Sequence, residues 1–151
     1  MSSQNQIVVS PNPLGHFIEG TLTAVAILPG THVSIDTAGL YEAWNESADG
    51  VKGEVIVLIE DALQGRDVST TYDASDRFFA YIPLPGDELQ CLFKNVAGTA
   101  DSFVIGELVM IDDTTGKLIT ESSSEMEPWA VMETIPALTA DALHLVRSTG
   151  H

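Results

Sequence analysis

Chemistry in a protein needs side chains that converge: a nucleophile beside its base, a set of metal ligands, or a glycine loop around a phosphate. This chain offers four histidines, one cysteine and 22 carboxylates from which to assemble such a set. His16, His32, His144 and His151 are far apart and show nothing like the H-E-x-x-H spacing that puts two imidazoles on one helix face. His32 and His144 fall at polar positions of extended segments, which predicts exposed or hydrogen-bonded rings. Cys91 lies within Leu89-Gln90-Cys91-Leu92-Phe93, where an inert buried thiol is expected. A lone cysteine allows neither an internal disulfide nor a thiolate cluster. There is no G-x-S-x-G elbow and no phosphate-binding glycine loop. Glu60-Asp61 closes an apolar run, as carboxylates do where a strand exits to water. Asp73-Ala74-Ser75-Asp76 resembles a cation loop but lacks the ligand pattern and closing bidentate glutamate of an EF-hand. The expectation is a non-enzymatic chain, with no catalytic residue, no metal site and no cofactor.

One enzyme family shares two short segments with the chain. Trimeric dUTPases are β-rich and carry Gly-Asp and Ala-Gly-Thr-x-Asp segments, which Gly86-Asp87-Glu88-Leu89 and Ala97-Gly98-Thr99-Ala100-Asp101 resemble. Here the two run in the reverse order, and the Arg-Ser phosphate motif is missing. Ser102-Phe103 stands where the tyrosine that stacks on uracil would be. A dUTPase-like enzyme is therefore the weaker alternative.

The elements that would position any site must be built from 151 residues, a length that suits one domain with one core. Pro-Gly sits at the centre of Leu28-Pro29-Gly30-Thr31 and of Leu84-Pro85-Gly86-Asp87, the signature of type II turns. Asp112-Asp113-Thr114-Thr115-Gly116-Lys117 reads as a hairpin loop closed by a left-handed glycine. Between these marks lie nine runs of strand length: 22–28, 32–36, 55–59, 77–82, 89–93, 108–111, 117–120, 129–135 and 143–147. Short strands at this spacing predict an all-β fold, a barrel or a sandwich. Helix is confined to one or two turns over Thr37 to Glu46, where Leu40, Tyr41 and Trp44 have helical spacing, and one turn at Thr139 to Ala142. Trp44 and Trp129 are isolated in sequence and read as core residues.

Three strands, 55–59, 78–82 and 108–111, are apolar on both faces, so a second layer or a second subunit must cover the face that does not line the barrel. Residues 1–20 differ from the barrel domain at 21–151. They carry Pro11 and Pro13, one charge, and an apolar set formed by Ile7, Val8, Val9, Leu14, Phe17 and Ile18. Proline at these positions forbids helix and favours extended chain. The reading is an N-terminal arm whose Ile7-Val8-Val9 adds a strand to a neighbour's sheet edge, with those six residues as the interface. The segment Glu121 to Pro128 is expected to be an exposed acidic loop.

Six basic residues against 22 acidic ones give a net charge of −16. Binding to phosphates needs a basic patch that displaces counterions, so nucleic acid and anionic membrane are excluded as expected partners. No run approaches the ~20 apolar residues that span a bilayer as a helix. The N-terminus lacks the basic and apolar regions of a signal peptide. Yet 44% of the residues are hydrophobic, rich for so acidic a chain, which points to apolar surface that meets a partner.

Residues 54–147 resemble a pattern found among small capsid decoration (cement) proteins of tailed bacteriophages. It comprises Ile59-Glu60-Asp61-Ala62-Leu63-Gln64-Gly65, the tyrosine-containing turn Tyr72 to Arg77, and Pro85-Gly86-Asp87-Glu88-Leu89. Further on come Ile105-Gly106-Glu107-Leu108-Val109, Asp113 to Leu118, Trp129 to Glu133 and Leu145-Val146-Arg147. Family members often have glycine where Ala74-Ser75 stands. The resemblance implies a β-barrel or β-tulip-like subunit on the outer surface of the virion, commonly trimeric, that binds the phage major capsid protein and cements neighbouring capsomers. A virion attachment or receptor-binding module is the alternative from a different class.

Overall fold

The computed structural model describes residues 6–10, 16–23, 26–35, 38–44, 54–61, 63, 65, 67–97, 99, 101–120 and 128–150. They form eleven strands and no α-helix: β1 (Val8–Ser10), β2 (His16–Thr21), β3 (His32–Ile35), β4 (Tyr41–Ala43), β5 (Ile56–Ile59), β6 (Arg77–Ile82), β7 (Glu88–Phe93), β8 (Leu108–Ile111), β9 (Leu118–Thr120), β10 (Trp129–Val131) and β11 (Ala142–Ser148). The fold is all-β and contains a closed five-stranded barrel. One sheet runs β1-β7-β11-β10-β8-β9, and a parallel pairing of Phe93 with Leu118 joins β7 to β9, so that the last five strands form a ring. The second sheet runs β2-β6-β5-β3-β4, and a bridge from Leu22 to Tyr41 draws its two outer strands together.

The turn chemistry lies where the sequence puts it. Thr31 N donates to Leu28 O, Asp87 N to Leu84 O and Gly116 N to Asp112 O. Gly30, Gly86 and Gly116 all have positive φ. Ser75 also takes a positive φ, 71°. The expected strands 77–82 and 108–111 have the same bounds in the structure, and β3, β5, β7, β9 and β11 differ from expectation by a residue or two. Two strands were not expected: β2, in the segment read as an arm, and β4, which replaces the helical turn read over Thr37 to Glu46; β1 is the strand expected of Ile7-Val8-Val9. Tyr41 is committed to its pairing with Ile35 and its bridge to Leu22, long-range contacts that override local helical spacing. Over Thr139 to Ala142 the chain bends and then enters β11.

Two apolar clusters account for the strands that are apolar on both faces. Val57 and Tyr81 join Phe93, Val109, Leu118, Trp129 and Val146 in the cluster of the first sheet. Ile56, Leu58, Phe78 and Ala80, on the alternate positions of the same strands, pack with Leu22, Ile27, Val33 and Tyr72 in the second. β5 and β6 are thus covered on both faces by the chain itself, and a second subunit is not needed to bury them. β8 is different: Val109, Met110 and Ile111 are buried, whereas Leu108 is 41% exposed.

The N-terminal segment does add a strand to a sheet edge, but the edge belongs to its own chain. β1 pairs antiparallel with β7, matching Val8 with Leu89 and Ser10 with Glu88. Gln90 N donates to Ile7 O at 2.7 Å, and Ile7 N donates to the Glu60 carboxylate at 3.0 Å. Ile7 and Val8 are buried in the first cluster, and β2 pairs along its whole length with β6. The boundary drawn between an arm and a barrel at residues 20 and 21 therefore falls inside β2. Apolar side chains flanked by prolines found an edge within reach, so they need not cross to another molecule.

Gly30 is the joint between the sheets. Its N–H donates to Leu58 O on β5 and its carbonyl accepts from Leu92 N on β7. A Cβ there would lie 2.5 Å from Leu143 Cδ2, and φ is +86°. Gly30→Ala should therefore destabilise the fold by about 2 kcal/mol or more, measured by denaturant unfolding. Ile7→Ala should cost about 3 kcal/mol, because a fully buried side chain is truncated. Wild-type unfolding of the Ile7→Ala variant would place that residue outside the core.

Candidate interaction surface

Several of the polar side chains singled out from sequence help to hold the fold. His32, on β3, is fully buried. Its Nδ1 lies 2.8 Å from Gly116 O, and Trp129 Nε1 donates to its Nε2 at 2.8 Å. A carbonyl only accepts and an indole N–H only donates, so the ring is neutral with its proton on Nδ1. Burial lowers the pKa of His32 to about 4, with the Gly116 carbonyl acting in the opposite direction. The contact is close: His32 N also donates to Gly116 O, and a Cβ on Gly116 would sit 2.3 Å from His32 O. His144 Nδ1 donates to Glu133 Oε1, 3.1 Å away, and Leu145 N donates to the same oxygen. Both rings are hydrogen-bonded, and the polar position at 32 is internal.

The carboxylates behave alike. Asp87, from the segment shared with dUTPases, is buried and accepts from Tyr81 Oη at 2.7 Å and Leu84 N at 2.8 Å, which braces the Pro-Gly turn. Asp61 is buried rather than at an exit to water. Asp76 Oδ2 accepts from Asp73 N, closing the turn that resembled a cation loop. Cys91 is buried in the first cluster, and burial pushes its thiol well above the ordinary range.

The basic residues among the described ones are equally committed. Arg77 pairs with Glu19, Lys94 with Asp112, Lys117 with Asp141 and Arg147 with Glu88. Burial works against ionisation of Asp112, but hydrogen bonds from Thr115, Lys94 and Thr114 outweigh it and hold the carboxyl below its usual range. Among the described residues, no three His, Cys, Asp or Glu groups converge as a metal site. A cleft of about 290 Å³ is lined by residues including Ile27, Leu28, Thr31 and Lys117, and one of about 190 Å³ by residues including Pro83, Pro85 and Pro128. Neither is lined by a histidine or a cysteine.

A set of apolar side chains also faces solvent. Of the six residues assigned to an interface from sequence, Ile7 and Val8 are internal, Ile18 is half-buried against the second cluster, and Leu14 lies outside the described residues. Val9 and Phe17 are exposed, and the Phe17 ring rests against Tyr81 with centroids 4.8 Å apart. The sequence reading missed the turn after Phe103. Val104 and Ile105 are each 64% exposed there, and Leu108 follows. The signal was present: Gly106-Glu107 marks a turn, which places the preceding valine and isoleucine at its tip rather than in a strand. Of the acidic loop expected to be exposed, Glu121 to Pro128, residues 121–127 lie outside the described residues, and Pro128 is buried. The chain matches no known protein-family model and no curated protein.

The buried imidazole predicts a pH dependence. The unfolded chain binds a proton at His32 near pH 6.5, and the folded chain resists it until about pH 4. Stability from this group is therefore full above pH 6.5 and lost as pH falls towards 4, a change of about 3 kcal/mol. Protonation would also set two donors, Nε2–H and the Trp129 N–H, against each other. His32→Asn cannot titrate, so the wild-type minus variant difference in unfolding free energy should shrink by that amount across this window. Parallel curves would show that His32 does not carry the dependence.

Proposed function

We propose that this protein is a non-enzymatic structural component of a virion, which binds the outer surface of an assembled phage capsid and cements neighbouring capsomers. The observation that carries this reading is the division of labour just described. His32, Asp87 and Cys91 are buried inside the fold, whereas eight large apolar side chains stand exposed among the described residues of a strongly acidic chain. Such a surface suits protein contact and repels nucleic acid.

The motifs that resemble decoration proteins support the reading through the positions they occupy. Pro85-Gly86-Asp87 makes a braced turn, Asp113 to Leu118 a hairpin, and Trp129 fills the first cluster. Tyr72 fills the second cluster, and its hydroxyl donates to Ile59 O. They are the residues that build a barrel, so a shared pattern at these places favours a shared architecture. A homotrimer on the capsid rests on that resemblance alone, since the strands that seemed to require a partner are covered internally. The mechanism is repeated burial: each copy contributes a modest apolar footprint at about 25 cal/mol per Å² before association costs, and many copies multiply the effect. Packaged DNA need not be touched.

Purified protein added to DNA-free heads should bind over the whole shell at high copy number and raise the temperature at which the heads rupture. Binding confined to a few copies at the tail would favour the attachment-module alternative. A nucleotide thermal-shift screen should leave the melting temperature unchanged, and a rise of several degrees with dUTP would restore the enzyme reading.

A further inference from the structure

Three of the eight exposed large apolar side chains fall within five residues, Val104, Ile105 and Leu108. Turn tips normally carry Gly, Asn, Asp or Ser, whose polar side chains and backbone freedom suit solvent. The turn runs from Val104 to Glu107 with Ile105-Gly106 at its centre; Gly106, at φ 88°, fits that expectation, whereas Val104 and Ile105, each 64% exposed, do not.

The turn is also held rigidly. Glu107 N donates to Val104 O at 3.1 Å, and Val104 N donates to Glu107 Oε2 at 3.0 Å. Gly106 N donates to Val131 O at 2.8 Å, and Val131 N donates to Glu107 O at 2.9 Å. Phe103, one residue before the tip, is buried and bridged to Ile135. The apolar pair is thus presented on a preorganised backbone, which lowers the ordering cost of inserting it into a partner. Leu108 extends the same exposure onto the first residue of β8.

Charge around the turn selects the partner. Glu107 is in the turn, Asp101 precedes it, and Glu133 lies two residues before the bridging Ile135. Lys94 and Lys117 are paired with Asp112 and Asp141 beyond the far end of β8, and Arg147 is tied to Glu88. A second copy of a chain with net charge −16 would bring like charge to this rim. An apolar recess bordered by lysine or arginine would bring the complement. We infer that the Val104-Ile105-Leu108 turn is the docking element of this protein, and that it inserts into an apolar, cation-rimmed recess on the shell subunit. The inference rests on the capsid-binding reading and assigns that reading its contact.

The test uses the full chain and DNA-free heads assembled from the major capsid protein encoded with it. The double variant Val104→Ser, Ile105→Ser should melt as the wild type does and keep its mass in native mass spectrometry, because both side chains lie outside the core. Its affinity for heads should fall at least about tenfold, as expected for the loss of central apolar anchors. Wild-type binding should also weaken as sodium chloride is raised, the mark of a charged rim. Unchanged affinity of the variant, with wild type bound, would overturn the turn's role and leave the capsid reading standing. Salt-independent binding would remove the cationic rim. A change in oligomeric mass would make the turn a contact between copies and overturn the inference. If wild type itself does not bind heads, the capsid reading falls and this inference falls with it.

Discussion

A strand in the middle of a structure cannot leave a row of backbone groups without partners, and β7 sets this constraint for the whole chain. On one side it pairs with β11 from Glu88 to Phe93. On the other, no single strand is long enough. Ile7 accepts from Gln90, Gly30 accepts from Leu92, and Leu118 accepts from Lys94, so three segments complete one edge in succession. Each brings its own element with it: the N-terminal strand, the loop that leads to the second sheet, and the β8–β9 hairpin. An unpaired buried amide costs on the order of 1–3 kcal/mol, which makes this edge a strong organiser of the fold.

The middle of those three segments carries the most. Pro29-Gly30-Thr31-His32 touches β7 through Gly30, β5 through Gly30 and Thr31, and the β8–β9 hairpin through His32. From there the imidazole reaches Trp129 on β10. One short segment thereby fixes the two sheets against each other with directional bonds, where apolar packing alone would allow sliding.

Legibility from sequence followed how local each cause was. Turns were readable because Pro-Gly and a hairpin glycine act within four residues. Most strands with long apolar runs were readable for the same reason. Over the expected 22–28, however, Leu22 and Ile27 make only isolated bridges, and β10 ends at Val131 rather than at 135. Cys91 and both tryptophans are core residues as read. β4 was not, because Tyr41 is held by partners at Ile35 and Leu22, and only its helical spacing is local. His32-Val33-Ser34-Ile35 alternates as a half-solvated strand should, yet His32 is buried and Ile35 is 49% exposed. A polar residue with two internal partners cannot be told by pattern from one facing water. Apolar strands on both faces were read correctly as needing two covers, but sequence does not say whether the second cover is the same chain. The Ile7 and Val8 assignment failed on that same ambiguity.

The place of β11 in the sheet has a consequence for synthesis. The second sheet has all five of its strands once residue 82 has been made. The barrel does not, since β11 sits between β7 and β10 and spans residues 142–148. Until those residues leave the ribosome, β7 lacks its longest partner and the apolar cluster behind it stays open. Closure is therefore ordered in time: the second sheet has its strands early, but the barrel, and with it the cover over Val57 and Tyr81, must wait for residues 142–148.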